Sequence, residues 1–242
     1  MTASTTGIGA SVPAPHERER EREREHDARE HEDALGEPLL RHRLSTRAIH
    51  WTMTGFFFVC VLSGMPIWSP LFGWMASLFG GLAVCRWLHP WSGVAYSAAA
   101  LVLFVHWRRE MTFEPTDRGW LGPKLVRFLR HEGRDLDVGK YNGGQKALFW
   151  AVSLGALAML VSGVVLWFPL AFAELARLLA ILLHDAVFVL FAMAIAFHVY
   201  LGTAALPGAL RAMTRGTVDR SWARLHHPRW YREVTGDDPR RE

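Results

Sequence analysis

The sequence predicts an all-α membrane protein, a four-transmembrane-helix bundle behind a charged N-terminal extension of disordered composition. Three observations predict it. Four apolar windows reach the about 20 residues that a bilayer crossing needs, three of them free of charge. Tryptophans gather at the window ends. Lysines and arginines crowd alternate loops. The mean hydropathy, +0.09, conceals this pattern because very polar and very apolar stretches cancel.

Residues 1–38 alternate Glu and Arg between His16 and His26 and offer no apolar face. Disorder is the default for such a stretch, with transient helix through i,i+4 charge pairs. No apolar run follows a short basic start, so the pattern is not that of a secretory signal. The bundle is expected over residues 39–235, with spans at about 50–68, 87–107, 147–171 and 178–201, and residues 236–242 as a tail. Residues 70–85 are apolar but short and carry Gly73, Gly80 and Gly81. They are expected to form a re-entrant or interfacial segment. Trp51, Trp68, Trp87, Trp107, Trp150 and Trp167 lie where an interfacial aromatic belt belongs.

The basic residues orient the chain. Arg41, Arg43 and Arg47 precede span one, nine Lys or Arg lie between spans two and three, and six follow span four, from Arg211 to Arg232. The other two loops carry only Arg86 and Arg177. Both termini and the middle loop are therefore expected in the cytoplasm, with an even number of spans. Two cysteines make no disulfide framework, and the absence of a CxxCH motif excludes covalently attached c-type haem.

Ionisable groups inside a membrane are costly and invite a functional reading. His50 opens span one, His89 opens span two, and His184 and His198 share span four. The last two are fourteen residues apart. That is about 21 Å along the axis, and fourteen steps of roughly 100° return to within about 40° of one direction. Pairing by depth joins His50 with His198 on the cytoplasmic side and His89 with His184 on the outer side. Each pair can offer two neutral imidazoles across a gap, as a bis-histidine b-type haem needs. Gly55, Gly93, Ser97 and Ala194 would leave room. A histidine-lined metal transporter is the rival reading. It would favour ligands at i,i+4 with acids, whereas the adjacent His184 and Asp185 face different ways. Asp185 has no assigned role; an interface position, a partner contact and proton handling are all open. His42, His106 and His131 read as packing or interfacial residues. His226 and His227 are too few for a metal site, and Trp230 and Tyr231 are expected to anchor the tail at the membrane interface.

Several stretches carry a resemblance. They are Arg47-Ala-Ile-His50-Trp51, Leu78-Phe-Gly-Gly81, Arg86-Trp-Leu-His89-Pro90 and Lys140-Tyr-Asn-Gly-Gly-Gln-Lys146. With them go His198-Val-Tyr, Ser221-Trp-Ala-Arg and His226-His-Pro-Arg-Trp-Tyr-Arg-Glu233. Over about residues 40–235 the chain resembles the gamma, or cytochrome b556, subunits of membrane-bound respiratory formate dehydrogenases. The resemblance implies two haem b groups on His50, His89, His184 and His198, the four that depth pairing selects. It implies a menaquinone or ubiquinone site on the cytoplasmic side at Asn142, Gly144 and Gln145, with His198 near it. By residue chemistry alone, Asn142-Gly-Gly is an ordinary turn before span three. The implied partners are an iron–sulfur beta subunit and a molybdenum or tungsten alpha subunit that oxidises formate outside the membrane. No catalytic nucleophile or cluster ligand set is present in this chain, and nothing in it points to nucleic acid. Kindred readings are a cytochrome b subunit of a hydrogenase or thiosulfate reductase, and a haem-free membrane anchor.

Overall fold

The computed structural model describes residues 36–130 and 136–237, together with Arg20, Arg22 and Arg24. The rest of the charged extension, His131, Arg134 and the last five residues lie outside the described residues. In chain order the elements are β1 (Leu39–Leu40), α1 (Leu44–Trp68), α2 (Leu82–Trp107), α3 (Pro123–Leu129), α4 (Gly143–Trp167) and α5 (Glu174–Tyr200). Then come α6 (Ala209–Thr214), β2 (Thr217–Val218), α7 (Arg220–His226) and α8 (Pro228–Thr235). Helices α1, α2, α4 and α5 are long and apolar enough to cross a membrane, α5 continuing through a π turn to Ala205.

Each long helix starts earlier than the apolar windows suggest. Helix α1 begins six residues before His50, and α2 begins seven before His89, so both histidines lie inside their helices. The segment after α1 is a 3-10 helix, Pro70–Phe79. It ends at Gly80 and Gly81, whose φ of 88° and 116° only glycine adopts readily. Gly81 donates to the Ala76 carbonyl at 2.8 Å, and α2 starts one residue later. Cys85, the last residue of the stretch expected to be re-entrant or interfacial, is consequently a fully buried residue of the first turn of α2. Helix α4 is capped by Asn142, whose Oδ1 accepts from the Gln145 N–H at 2.9 Å while Gln145 Oε1 accepts from the Asn142 N–H at 3.0 Å. This reciprocal pair satisfies two N-terminal donors.

The bundle is two helical hairpins side by side. Helix α1 packs on α2, α4 packs on α5, and α2 joins the hairpins through α4. Helices α1 and α5 stand further apart and meet through rings: Phe57 with Phe191 at 6.4 Å between centroids, and Trp68 with Phe188 at 5.6 Å. Most apolar side chains outside this core point outward, as a lipid-facing surface requires.

A polar cap closes one face. Strand β1 pairs antiparallel with β2, Leu39 opposite Val218. The segment before the first span and the segment after the fourth therefore lie on the same side. The middle loop joins them: Arg229 of α8 bonds Glu114 at 2.7 Å, and its N–H donates to the Val138 carbonyl at 3.0 Å. Lys146 of α4, 2% exposed, pairs with Asp117 at 2.8 Å. Arg41 is buried between the rings of Trp230 and Trp222, 4.9 and 5.3 Å from their centroids. Its guanidinium donates to the Lys140 carbonyl at 2.5 Å and lies 3.0 Å from His227 Nε2. His227 Nδ1 is 2.7 Å from the Gly139 carbonyl, which can only accept, so Nδ1 carries the proton and Nε2 accepts from Arg41. Burial, and then the Arg41 charge, hold His227 well below the usual histidine range. Burial pulls Arg41 down to about 10, which leaves it charged at neutral pH. Trp230 and Tyr231 do not anchor the tail in the interface: both are buried against Ala212, Val218 and Ala223. Their partners come from remote segments, which is why local sequence pointed elsewhere.

Candidate functional site: two histidine pairs

Helix α5 presents His184 and His198 on one face, two turns either side of Phe191. The structure brings His184 to His89 of α2, with ring centroids 6.2 Å apart and planes at 70°. It brings His198 to His50 of α1, with centroids 6.3 Å apart and planes at 55°. Between the two pairs lies an apolar core of Tyr96, Ala100, Ala156 and Phe191 with Phe57 packed on it.

The pair of His89 and His184, expected on the outer side, is held from behind. His89 Nδ1 is 3.0 Å from the Cys60 carbonyl of α1, and His184 Nδ1 is 2.9 Å from Ser162 Oγ of α4. A carbonyl can only accept, so the His89 proton sits on Nδ1 and Nε2 is free. Ser162 gives its own hydroxyl proton to the Ala158 carbonyl at 2.7 Å, so its oxygen accepts from His184. Glycine makes room for the His89 ring, while Gly163 stands at ordinary contact range from His184. A Cβ on Gly64 would lie 2.8 Å from His89 Cε1, and one on Gly163 would lie 3.6 Å from His184 Cε1. These supporting residues escaped the sequence reading. The available signal was a repeat, Ser63-Gly64 in the first span and Ser162-Gly163 in the third, with both serines buried.

A cavity of about 600 Å³ opens in front of the outer pair, lined by all four spans. That lies within the about 300–1,000 Å³ range of cofactor pockets. Gly93 and Ser97, expected to leave room, line it, as do Arg86 and Asp185. The pair of His50 and His198 is more open, with His50 half-buried and His198 exposed. Gly55, one turn beyond His50, has nothing within 4 Å of where a Cβ would stand.

The pairs fit haem by their spacing. Two imidazoles sharing one ion at about 2.0–2.1 Å, with ring centres roughly 1.1 Å behind the nitrogens, hold their centroids about 6.2–6.4 Å apart. Both pairs lie in that range. Among the described residues no three His, Cys, Asp or Glu gather around one point. Two protein nitrogens per ion suit a macrocycle that brings the remaining ligands itself.

The other expected residues fall elsewhere. Asn142, Gly144 and Gln145 share the first turn of α4, where the side chains of Asn142 and Gln145 bond each other. His106 lies 3.0 Å from Thr46 Oγ1, and His42 is buried, stacked on Tyr141 with centroids 5.9 Å apart. His42 is a packing residue, whereas His106 is exposed at the end of α2.

The prokaryotic cytochrome b561 family model matches residues 41–216. The chain is 34% identical over 209 residues to the cytochrome b556(Fdn) subunit of nitrate-inducible formate dehydrogenase from Escherichia coli (strain K12). That match covers 84% of this chain and 95% of the relative. It is also 34% identical over 200 residues to the formate dehydrogenase cytochrome b556 subunit of Haemophilus influenzae, covering 81% of this chain and 83% of the relative. The cytochrome b556(fdo) subunit of E. coli formate dehydrogenase matches at 34% over 203 residues, 82% of this chain and 94% of the relative. With four apolar helices and kin of this description, the chain is a multi-pass membrane cytochrome b and belongs to the prokaryotic cytochrome b561 family, beside the cytochrome b556 subunits of formate dehydrogenase.

Proposed function

We propose that this chain is the quinone-reducing electron-transfer subunit of a formate dehydrogenase complex in the bacterial inner membrane. It holds two b haems, one on His89 and His184 and the other on His50 and His198. The observation that carries the reading is the pair of bis-imidazole gaps, 6.2 and 6.3 Å between centroids, stacked through one helix. The haems supply one-electron carriage between iron(II) and iron(III). The chain's own residues do the rest. Two imidazoles stand together at each site, and the apolar core around Phe191 separates the two.

The names of the relatives favour formate dehydrogenase over a hydrogenase or thiosulfate reductase as the parent complex. The partners would then be an iron–sulfur subunit and a molybdenum- or tungsten-dependent formate-oxidising subunit at the outer face. The cap that gathers both flanks and the middle loop is the basic face, and the positive-inside rule makes it cytoplasmic. Electrons crossing to that face and protons taken up there would store about 2.3 kcal/mol per charge per 100 mV. Menaquinone or ubiquinone would be reduced there, near Asn142, Gly144 and Gln145. The test is a reduced-minus-oxidised optical spectrum of the purified protein with haem quantified per chain. A b-type band with two haems is expected. No haem after expression with adequate haem supply would leave a membrane anchor and sink the reading.

A further inference from the structure

We propose that hydrogen bonding behind the histidines sets the two sites at different potentials, the outer one lower, and that Ser162 is a positioning residue for that difference. The inference rests on the reading that each pair holds one haem.

The two pairs share their spacing but not their support. Behind the outer pair both Nδ1 protons have acceptors: the Cys60 carbonyl at 3.0 Å from His89, and Ser162 Oγ at 2.9 Å from His184. Ser162 is committed to accepting, because its own proton is engaged by the Ala158 carbonyl, and it is 2% exposed. Behind the inner pair, His50 Nδ1 is buried and has no partner among the described residues. Its ring instead stands edge-on to Trp51, with centroids 5.1 Å apart.

The chemistry follows from the imidazole. An acceptor on Nδ1–H makes Nε2 more basic. A more basic axial nitrogen stabilises iron(III) more than iron(II), which lowers the reduction potential. The outer site carries this effect on both rings, whereas His50 lacks it. With a haem on each pair, one electron leaving the outer iron, which would become iron(III), would reduce the inner iron to iron(II). No bond or proton moves in that step, and it runs downhill toward the basic face. The peptide carbonyl of Cys60 cannot be removed by substitution, so Ser162 is the handle.

The experiment is a potentiometric titration of the full protein in membranes, followed at the b-type band, with haem counted per chain. Two components are expected, and His89→Ala should delete the lower one. Ser162→Ala should raise the lower component and leave the upper in place. A tenfold change in preference between the two iron states would read as about 59 mV for a one-electron couple. Ser162→Thr, which keeps the hydroxyl, should restore it. If Ser162→Ala fails to assemble, Ser162→Cys, a weaker acceptor, is read by the same criterion. The proposal is overturned if His89→Ala deletes the upper component. It is equally overturned if two haems remain and neither serine variant moves the lower one. Wild-type protein without haem would instead overturn the functional reading beneath it.

Discussion

Gly64 gives the most direct test of the outer site, because the structure fixes how far a neighbour must move. A Cβ at this position would sit 2.8 Å from His89 Cε1 and 3.0 Å from Nδ1. Ordinary contact begins near 3.4 Å, so Gly64→Ala must push the ring back by about 0.6 Å. A metal–nitrogen bond tolerates only about 0.2 Å. The ring cannot tilt away freely, since the Cys60 carbonyl holds its Nδ1 at 3.0 Å. The variant should therefore lose or weaken the outer haem and keep the inner one. Haem per chain should fall from two toward one, with one potentiometric component missing or shifted. Gly73→Ala is the control, because its Cβ meets nothing within 4 Å and it lies in the 3-10 segment away from the histidines. A Gly64→Ala protein with two haems at unchanged potentials would refute the placement of His89.

Three further outcomes follow from the cap. Asp117→Asn strands the buried Lys146, and breaking such a pair costs about 3–5 kcal/mol; Glu114, 3.6 Å away, should keep the loss near the lower end. A thermal midpoint equal to wild type in detergent would contradict the pair, whereas Lys146→Met with Asp117→Leu should recover most of the loss. Burial, and then Arg41 and Lys140, push His42 down to about 3, and His227 moves the same way. The unfolded chain therefore binds protons that the folded chain refuses between pH 6.5 and about 3. Stability is full above pH 6.5 and falls as pH drops, by at most about 1.4 kcal/mol per pH unit per group. Thermal midpoints at pH 7.5, 6.5 and 5.5 should show this slope, and His42→Phe should flatten it; an unchanged slope would dismiss His42 as a contributor. Asn142→Ala should cost about 0.5–2 kcal/mol as a lost N-cap, and Asn142→Ser should recover it. If the serine variant also reduces quinone at the wild-type rate, Asn142 is a cap and nothing more.

The spans and the placement of His184 and His198 on one helix face were legible because each depends on short-range pattern. An apolar window is a property of consecutive residues, and the fourteen-residue interval in α5 is fixed by helical pitch. What sequence reading lost depends on partners far along the chain. It stopped the second span at Arg86, because a charge reads as an end. Yet α2 runs back to Leu82, with Arg86 lining the cavity at His89 and His184. It placed Trp230 and Tyr231 at the lipid interface. A buried cap around Arg41, almost 190 residues earlier, claims the Trp230 ring. The Cys60 carbonyl was invisible because a backbone acceptor has no residue type, and Ser162 was passed over, despite the Ser-Gly repeat, because a serine in an apolar run usually satisfies itself on its own helix.

Helix α5 belongs to both pairs, so its register is the one quantity on which both sites depend. Phe191 sets that register. It stands seven residues from His184 and seven from His198, two turns in each direction, and therefore on nearly the same face. Its ring packs against Phe57 of α1 and Tyr96 of α2 and lies over Gly155 of α4, where a Cβ would overlap it outright. A side chain at Gly155 must therefore displace Phe191, and with it the helix that carries both histidines. Gly155→Val should disturb both haem sites together, whereas Gly64→Ala disturbs one. The same spectra and titrations distinguish the two patterns. Loss confined to a single component in Gly155→Val would mean that each end of α5 is positioned by its own neighbours, and that the aromatic centre only fills space.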